Sequence, residues 1–216
     1  MSNELVKRTL SSIFLIPIVY FIIIDGGIIL NLFIVFSLSI ALYEWHKISK
    51  KKTYHYPGII FLFFSFYTFY KINNFDSNSE IIFIVLLTCI STDIGGYIFG
   101  KLFNGPKLTS ISPKKTYSGL IGGILASIIS LFFFFQITSI FSEKNNIHMN
   151  LYIIIILISL VSQIGDIIIS YFKRLVKIKD TGKIIPGHGG LLDRIDGMIF
   201  AFPFSYIMVL TNLFQI

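Results

Sequence analysis

A chain of 216 residues that is 54% hydrophobic and 13% charged, with a mean hydropathy of +0.79, is too apolar for a soluble domain and reads as an integral membrane protein. Its net charge of +7 does not indicate a nucleic-acid partner, because the cations sit in short loops between apolar runs and form no soluble basic face. The lone cysteine, Cys89, lies inside an apolar run, which excludes a disulfide framework and a cysteine-based metal site.

In chain order, Lys7 and Arg8 precede an apolar run from Leu10 to Ile24 that resembles a signal peptide, but no small-residue cleavage site follows. Asp25-Gly26-Gly27 predicts a tight turn into a second run, Ile28 to Tyr43, making a helical hairpin whose members span a bilayer with their flanks. Glu44-Trp45-His46-Lys47 reads as an interfacial anchor, with Trp45 at headgroup level and Lys50, Lys51 and Lys52 beyond it. A third span is expected from about Pro57 to Tyr70 and, after the polar loop KINNFDSNSE, a fourth from about Ile81. The fourth ends in TCISTDIGGYIFGK, which sets Asp93 inside an apolar segment, where carboxylates are costly and usually functional. Gly96 and Gly100 are spaced for close helix packing. The loop over 101–118 carries Lys107, Ser112, Pro113, Lys114, Lys115 and Thr116, a set suited to phosphate oxygens; membrane orientation accounts for its cations equally well. A fifth span is expected over about Gly119 to Phe141, with its phenylalanines as lipid-facing filler, and a sixth from Leu151.

With the amino terminus in the cytoplasm, the inside segments hold two, four, four and six cations, whereas the outside loops hold only Lys71 and Lys144. Sixteen against two predicts about seven transmembrane helices with the carboxyl terminus outside. The expected architecture is an all-α polytopic protein of the cell's inner (plasma) membrane. Residues 1–216 form one membrane domain, with amino-terminal helices over 1–87 and a catalytic part over 88–200 whose loops, 101–118 and 173–194, face the cytoplasm.

The stretch from Ser170 to Asp196 holds six of the chain's eighteen Lys and Arg. Positive-inside orientation explains the cations but asks for neither carboxylates nor a Pro-Gly-His-Gly-Gly turn. Leading into it, Ser159, Ser162, Asp166, Ser170 and Lys173 fall within an arc of about 80° on the sixth helix, a polar stripe that predicts a hydrated cleft. Asp193 and Asp196, three apart, share a helical face and need a cation between them. Oxygen ligands of this kind favour Mg²⁺; capping of the seventh span by acidic residues is the alternative. The glycines of PGHGG let backbone amides approach an anion, although neither a Walker A loop nor a G-x-G-x-x-G fingerprint is present.

These residues also carry a resemblance. Ser170, Lys173, Arg174, Lys179 and Asp180, followed by Pro186, Gly187, His188, Gly189, Gly190, Asp193, Arg194 and Asp196, match S-x-x-K-R-x4-K-D and P-G-H-G-G-x-x-D-R-x-D. This pattern resembles the signature of the phosphatidate cytidylyltransferase (CDP-diacylglycerol synthase) family. Ser162-Gln163 with Gly165-Asp166, and Ser112-Pro113 with Lys115-Thr116, resemble its other motifs, while Ser118 stands where many members carry Glu. The resemblance implies transfer of the cytidylyl group of CTP to phosphatidic acid in the lipid bilayer, with Mg²⁺ required. It implies metal ligation by Asp166, Asp193 and Asp196, with Asp93 as a further candidate. Lys173, Arg174 and His188 would act on phosphates at the reacting centre, and Ser112, Lys115, Thr116, Ser170, Lys179, Asp180, Gly189, Gly190 and Arg194 would bind substrate. A homo-oligomer is compatible with this reading. Two rivals are a CTP-dependent polyprenol kinase, which moves a different phosphate, and a cation transporter, which explains Asp93 and Asp166 but not the charged loop. A CDP-alcohol phosphotransferase would need a D-G-x-x-A-R pattern that this chain lacks.

Overall fold

The computed structural model describes residues 17–75, 79–139, 149–182, 184 and 189–214. Their named elements are all α-helices; isolated bridge residues occur only in loops, among them the pair Lys107 and Thr116 before the fifth helix. Residues 17–25 form α1, which breaks where Gly26 and Gly27 take φ of 63° and 52°, a left-handed conformation that only glycine adopts cheaply. After this predicted break come α2 (Gly27–Ser49), α3 (His55–Asn73), α4 (Glu80–Phe103) and α5 (Tyr117–Ser139). The chain continues through α6 (Met149–Leu175), the single turn α7 (Leu192–Ile195) and α8 (Met198–Leu210).

Among these, α2, α4, α5 and α6 are long and apolar enough to cross a membrane, whereas α8 is a shorter apolar helix with Pro203 inside it. The protein is a polytopic membrane protein. With 27 residues, α6 spans about 40 Å at ~1.5 Å per residue, which is long enough to cross the ~30 Å hydrocarbon core and still carry Lys173 and Arg174 in its last turn beyond it.

Between helices that share a lipid solvent, packing rests on small residues and cross-helix hydrogen bonds. The α4–α5 contact has both. A methyl group on Gly119 would sit 2.7 Å from the Gly96 carbonyl oxygen, and one on Gly123 would sit 2.9 Å from that of Thr92. These backbones touch because side chains are missing; Gly96 and Gly100, expected to pack closely, both face Gly119, while Gly119 and Gly123 on α5 had not been singled out. Thr92 Oγ1 donates to Ser159 Oγ at 2.8 Å and Ser130 Oγ donates to Ser91 Oγ at 3.0 Å, tying α4 to α6 and α5. On α6 the predicted stripe faces inward, with Ser159, Ser162, Ser170 and Lys173 all buried.

The expected interfacial anchor is corrected. Trp45 is buried, donates its indole N–H to the His55 carbonyl at 3.0 Å, and packs edge-on against Phe172 of α6 with ring centroids 5.2 Å apart. Gly58 lies beneath the indole, where a methyl group would overlap it. Together with Ala41, Ile48, Leu62, Phe66, Ile169, Leu192 and Ile199, Trp45 forms an apolar cluster that joins α2, α3, α6, α7 and α8. An indole that finds both an aromatic neighbour and a carbonyl acceptor inside the protein has no need of the headgroup region.

Candidate active site

The predicted residues come together where α2, α4 and α6 end and α5 and α8 begin. Alternation of helix direction brings these ends to one side of the bundle, although they are far apart in sequence.

Lys115, just before α5, extends its ammonium to Asp166 Oδ2 of α6 at 2.6 Å and donates to the Gln163 carbonyl at 3.3 Å. The other Asp166 oxygen accepts from Ser170 Oγ, one turn further on, at 3.2 Å. Lys173, buried despite its charge, stands between two carboxylates: Nζ lies 3.0 Å from Asp193 Oδ1 and 3.6 Å from Asp196 Oδ2. The i, i+3 spacing of those aspartates had demanded a cation between them, and in this structure the cation is the Lys173 ammonium.

Asp193 also organises the glycine loop. Its Oδ2 accepts from the backbone N–H of Thr181 at 2.8 Å and of Gly190 at 3.0 Å. Two backbone donors on one carboxylate oxygen make charge-assisted bonds, which hold both ends of the 181–190 segment on α7. Gly189 has φ of 90°, and a methyl group there would lie 3.0 Å from Asp193 Oδ2, so this approach requires glycine.

Asp196 is buried just before α8, where its Oδ1 accepts from the Gly197 N–H at 3.0 Å. Burial pushes its carboxyl well above the usual carboxylate range; the negative charge of Asp166 adds to this and the Lys173 ammonium opposes it. Asp93 is exposed on α4 but within Coulomb range of Asp166, Lys115 and Arg194. Asp93, Asp166 and Asp196 thus form one electrostatic neighbourhood, balanced by Lys115 and Lys173.

The remaining predicted residues are less central. Arg174 is exposed and donates to the Ile178 carbonyl at 2.8 Å, closing the chain as it leaves α6. Lys179, Asp180 and Arg194 are exposed near the loop. Thr116 Oγ1 accepts from the Gly119 N–H at 3.1 Å, an N-terminal cap for α5, and lies 3.0 Å from Ser118 Oγ. Ser118 Oγ in turn accepts from the Gly105 N–H at 3.3 Å, so this hydroxyl closes the 105–118 loop. Ser112 is half-buried in that loop, its carbonyl accepting from the Lys115 N–H at 3.0 Å. His188, with Pro186 and Gly187, lies outside the described residues.

One residue had not been expected here. Glu44 of α2 is completely buried and reaches across to the loop: Oε2 accepts from Thr181 Oγ1 at 2.8 Å and from the Leu192 N–H at 2.8 Å, and Oε1 from the Leu191 N–H at 3.0 Å. The signal was available, because a carboxylate closing a long apolar helix is as anomalous as Asp93. Its neighbours Trp45, His46 and Lys47 disguised it as part of a membrane-surface belt.

Among the described residues no three potential ligands converge as a ready-made metal cage. Mg²⁺ does not require one, since it commonly keeps several waters and takes one or two carboxylates together with substrate phosphates. The all-oxygen donor set of Asp166 and Asp196, with Asp93 alongside, fits that demand. Asp193, engaged by two backbone donors and Lys173, has less ligating capacity left.

Comparison with known proteins identifies the family. The model of the cytidylyltransferase family matches residues 6–75 and 62–212. The phosphatidate cytidylyltransferase of Staphylococcus epidermidis (strain ATCC 35984) is 37% identical over 163 residues, covering 72% of this chain and 56% of the relative. That of Rickettsia bellii (strain RML369-C) is 35% identical over 213 residues, covering 95% of this chain and 91% of the relative. That of Rickettsia typhi (strain Wilmington) is 37% identical over 207 residues, covering 86% and 89%. The matched region thus spans a little over half the length of the staphylococcal relative and about nine-tenths of the rickettsial ones. On the extent of the family match and of these similarities, the chain belongs to the cytidylyltransferase family.

Proposed function

We propose that this protein transfers the cytidylyl group of CTP to phosphatidic acid, forming CDP-diacylglycerol and pyrophosphate, with Mg²⁺ as cofactor. The observation that carries the reading is the meeting of Lys115, from the loop before α5, and Lys173, from the last turn of α6, on the Asp166, Asp193 and Asp196 cluster at one end of the helix bundle. Family membership and the relatives' activity point the same way.

In this reaction an oxygen of the phosphatidate phosphate attacks the α-phosphorus of CTP. The bond from that phosphorus to the oxygen bridging to the β-phosphate breaks, and pyrophosphate leaves with the electron pair. The nucleophile is already anionic, so no strong general base is needed, and positioning with charge neutralisation dominates. Bound Mg²⁺ would supply charge stabilisation at the phosphates, held by Asp166 and Asp196 with help from Asp93. Lys115 and Lys173 would exchange part of their carboxylate pairing for phosphate oxygens, and Arg174, Lys179 and Arg194 would add positive potential at the entrance. In this reading the bilayer delivers phosphatidate to the same end of the bundle, and the excess of Lys and Arg in the segments at that end supports a cytoplasmic orientation at the inner membrane.

The test uses purified protein with phosphatidate, Mg²⁺ and CTP labelled at chosen phosphates. Label from the α position is expected in lipid, and label from the β and γ positions in pyrophosphate. Lipid labelled from the γ position alone would show a kinase instead, and ion flux into liposomes without nucleotide turnover would show a transporter.

A further inference from the structure

Glu44 is a buried carboxylate that the cytidylyl-transfer chemistry does not use. Its hydrogen bonds with the described part of the loop are accepted from N–H and O–H groups: Thr181 Oγ1 and the Leu192 N–H on Oε2, and the Leu191 N–H on Oε1. The surrounding backbone is cut to fit it. A methyl group on Gly182 would lie 2.5 Å from Oε1, and one on Gly190 would overlap Thr181 Oγ1 and press on both carboxylate oxygens. The adjacent Trp45 anchors this end of α2 by packing on Phe172 and by its hydrogen bond to the His55 carbonyl, so the carboxylate is presented from a well-packed helix.

The same two ends of the loop are held a second time. Asp193 accepts from the Thr181 and Gly190 N–H groups, while Glu44 accepts from the Thr181 hydroxyl and the next two amides, Leu191 and Leu192. Asp193 is thereby located from both sides, and with it the Lys173 ammonium that it shares with Asp196.

We propose that Glu44 is a positioning residue: it latches Thr181 to Leu191 and Leu192 and so holds Asp193 and Lys173 in the arrangement that receives the CTP phosphates. This rests on the cytidylyltransferase reading of the site. Without the latch, a smaller fraction of molecules presents the competent arrangement. Apparent affinity for CTP falls by that fraction, while molecules that have bound CTP turn over normally.

The test compares the full-length wild type with Glu44→Gln, which keeps the shape but turns an amide donor toward backbone donors, and Thr181→Val, which removes one of the latch bonds. Amide hydrogen exchange is followed at Leu191 and Leu192 and along α4 and α5, and kcat and KM for CTP are measured at saturating phosphatidate and Mg²⁺. Glu44→Gln is expected to speed exchange at Leu191 and Leu192 by roughly tenfold or more with α4 and α5 unchanged. It should raise KM for CTP by about tenfold and leave kcat within about twofold. Thr181→Val should shift exchange and KM in the same direction by about two- to threefold, and the double variant should add little to Glu44→Gln. Unchanged local exchange, an unchanged KM in folded Glu44→Gln, or a wild-type KM in Thr181→Val if Glu44→Gln does not fold would overturn the proposal. A wild type that binds CTP but turns over none would sink the activity reading alone. Equilibrium binding of CTP with Mg²⁺ then replaces KM, and an unaltered Kd in Glu44→Gln overturns the latch.

Discussion

Lys173 Nζ lies 3.0 Å from Asp193 Oδ1, a buried ion pair between residues 20 apart in sequence that ties the end of α6 to α7. Asp196, 3.6 Å away, shares the same ammonium. Removing that ammonium leaves two carboxylates facing each other out of water, and breaking a buried pair from one side typically costs about 3–5 kcal/mol. Lys173→Met should therefore lower stability by about that amount in thermal unfolding of detergent-extracted protein with EDTA present. Lys115→Met, whose pair with Asp166 is partly exposed, should cost about 1 kcal/mol or less. Equal midpoints for the two variants would contradict a structural role for Lys173.

The carboxylates divide into two kinds, and asparagine separates them. Asp166→Asn and Asp196→Asn keep shape but lose charge at the proposed Mg²⁺ position. Each should reduce kcat on the order of 10²-fold and require more Mg²⁺ for half-maximal rate, with little loss of folded protein. Asp193→Asn instead weakens the acceptor for the Thr181 and Gly190 N–H groups, and should cost about 1–3 kcal/mol of stability as well as activity. Titrating Mg²⁺ against kcat for all three decides the assignment; wild-type Mg²⁺ dependence in Asp166→Asn and Asp196→Asn would remove the metal proposal.

Neighbouring glycines should behave oppositely in the α4–α5 seam. Gly119→Ala places a methyl group 2.7 Å from the Gly96 carbonyl oxygen, backbone against backbone, and should destabilise by about 1–3 kcal/mol. At Gly96 the nearest atom to such a methyl is 3.5 Å away, an ordinary contact. Gly96→Ala should be neutral or stabilising by up to about 1 kcal/mol, because alanine is the better helix former. Thermal midpoints of the two variants in the same detergent provide the comparison.

Orientation follows from the charge split and is open to direct labelling. Ser110, exposed between α4 and α5, is expected in the cytoplasm, and Asn74, exposed at the end of α3, outside. In a Cys89→Ala background, Asn74→Cys should react with an impermeant thiol reagent on intact cells, whereas Ser110→Cys should react only after permeabilisation. The reverse pattern would invert the topology.

The sequence alone determined the class of the molecule and most of what is chemical about it. Apolar run length announced membrane helices, because a bilayer tolerates no unpaired backbone and imposes a minimum length. The spacing of Asp166, Ser170 and Lys173 was enough to line up one face of α6, since helical geometry is local. Asp193 and Asp196 were legible as a pair needing a cation for the same reason. Tertiary structure decided which cation that is and which groups hold the loop. Lys173 reaches Asp193 and Asp196, Lys115 reaches Asp166, and Glu44 reaches Leu191 across 147 residues. Trp45 turned inward against Phe172 although its sequence neighbours advertised a membrane surface. Periodicity and charge sidedness are properties of a segment and its solvent, but the partner of a buried polar group is set by which helix ends the packing brings together, and no local pattern encodes that choice.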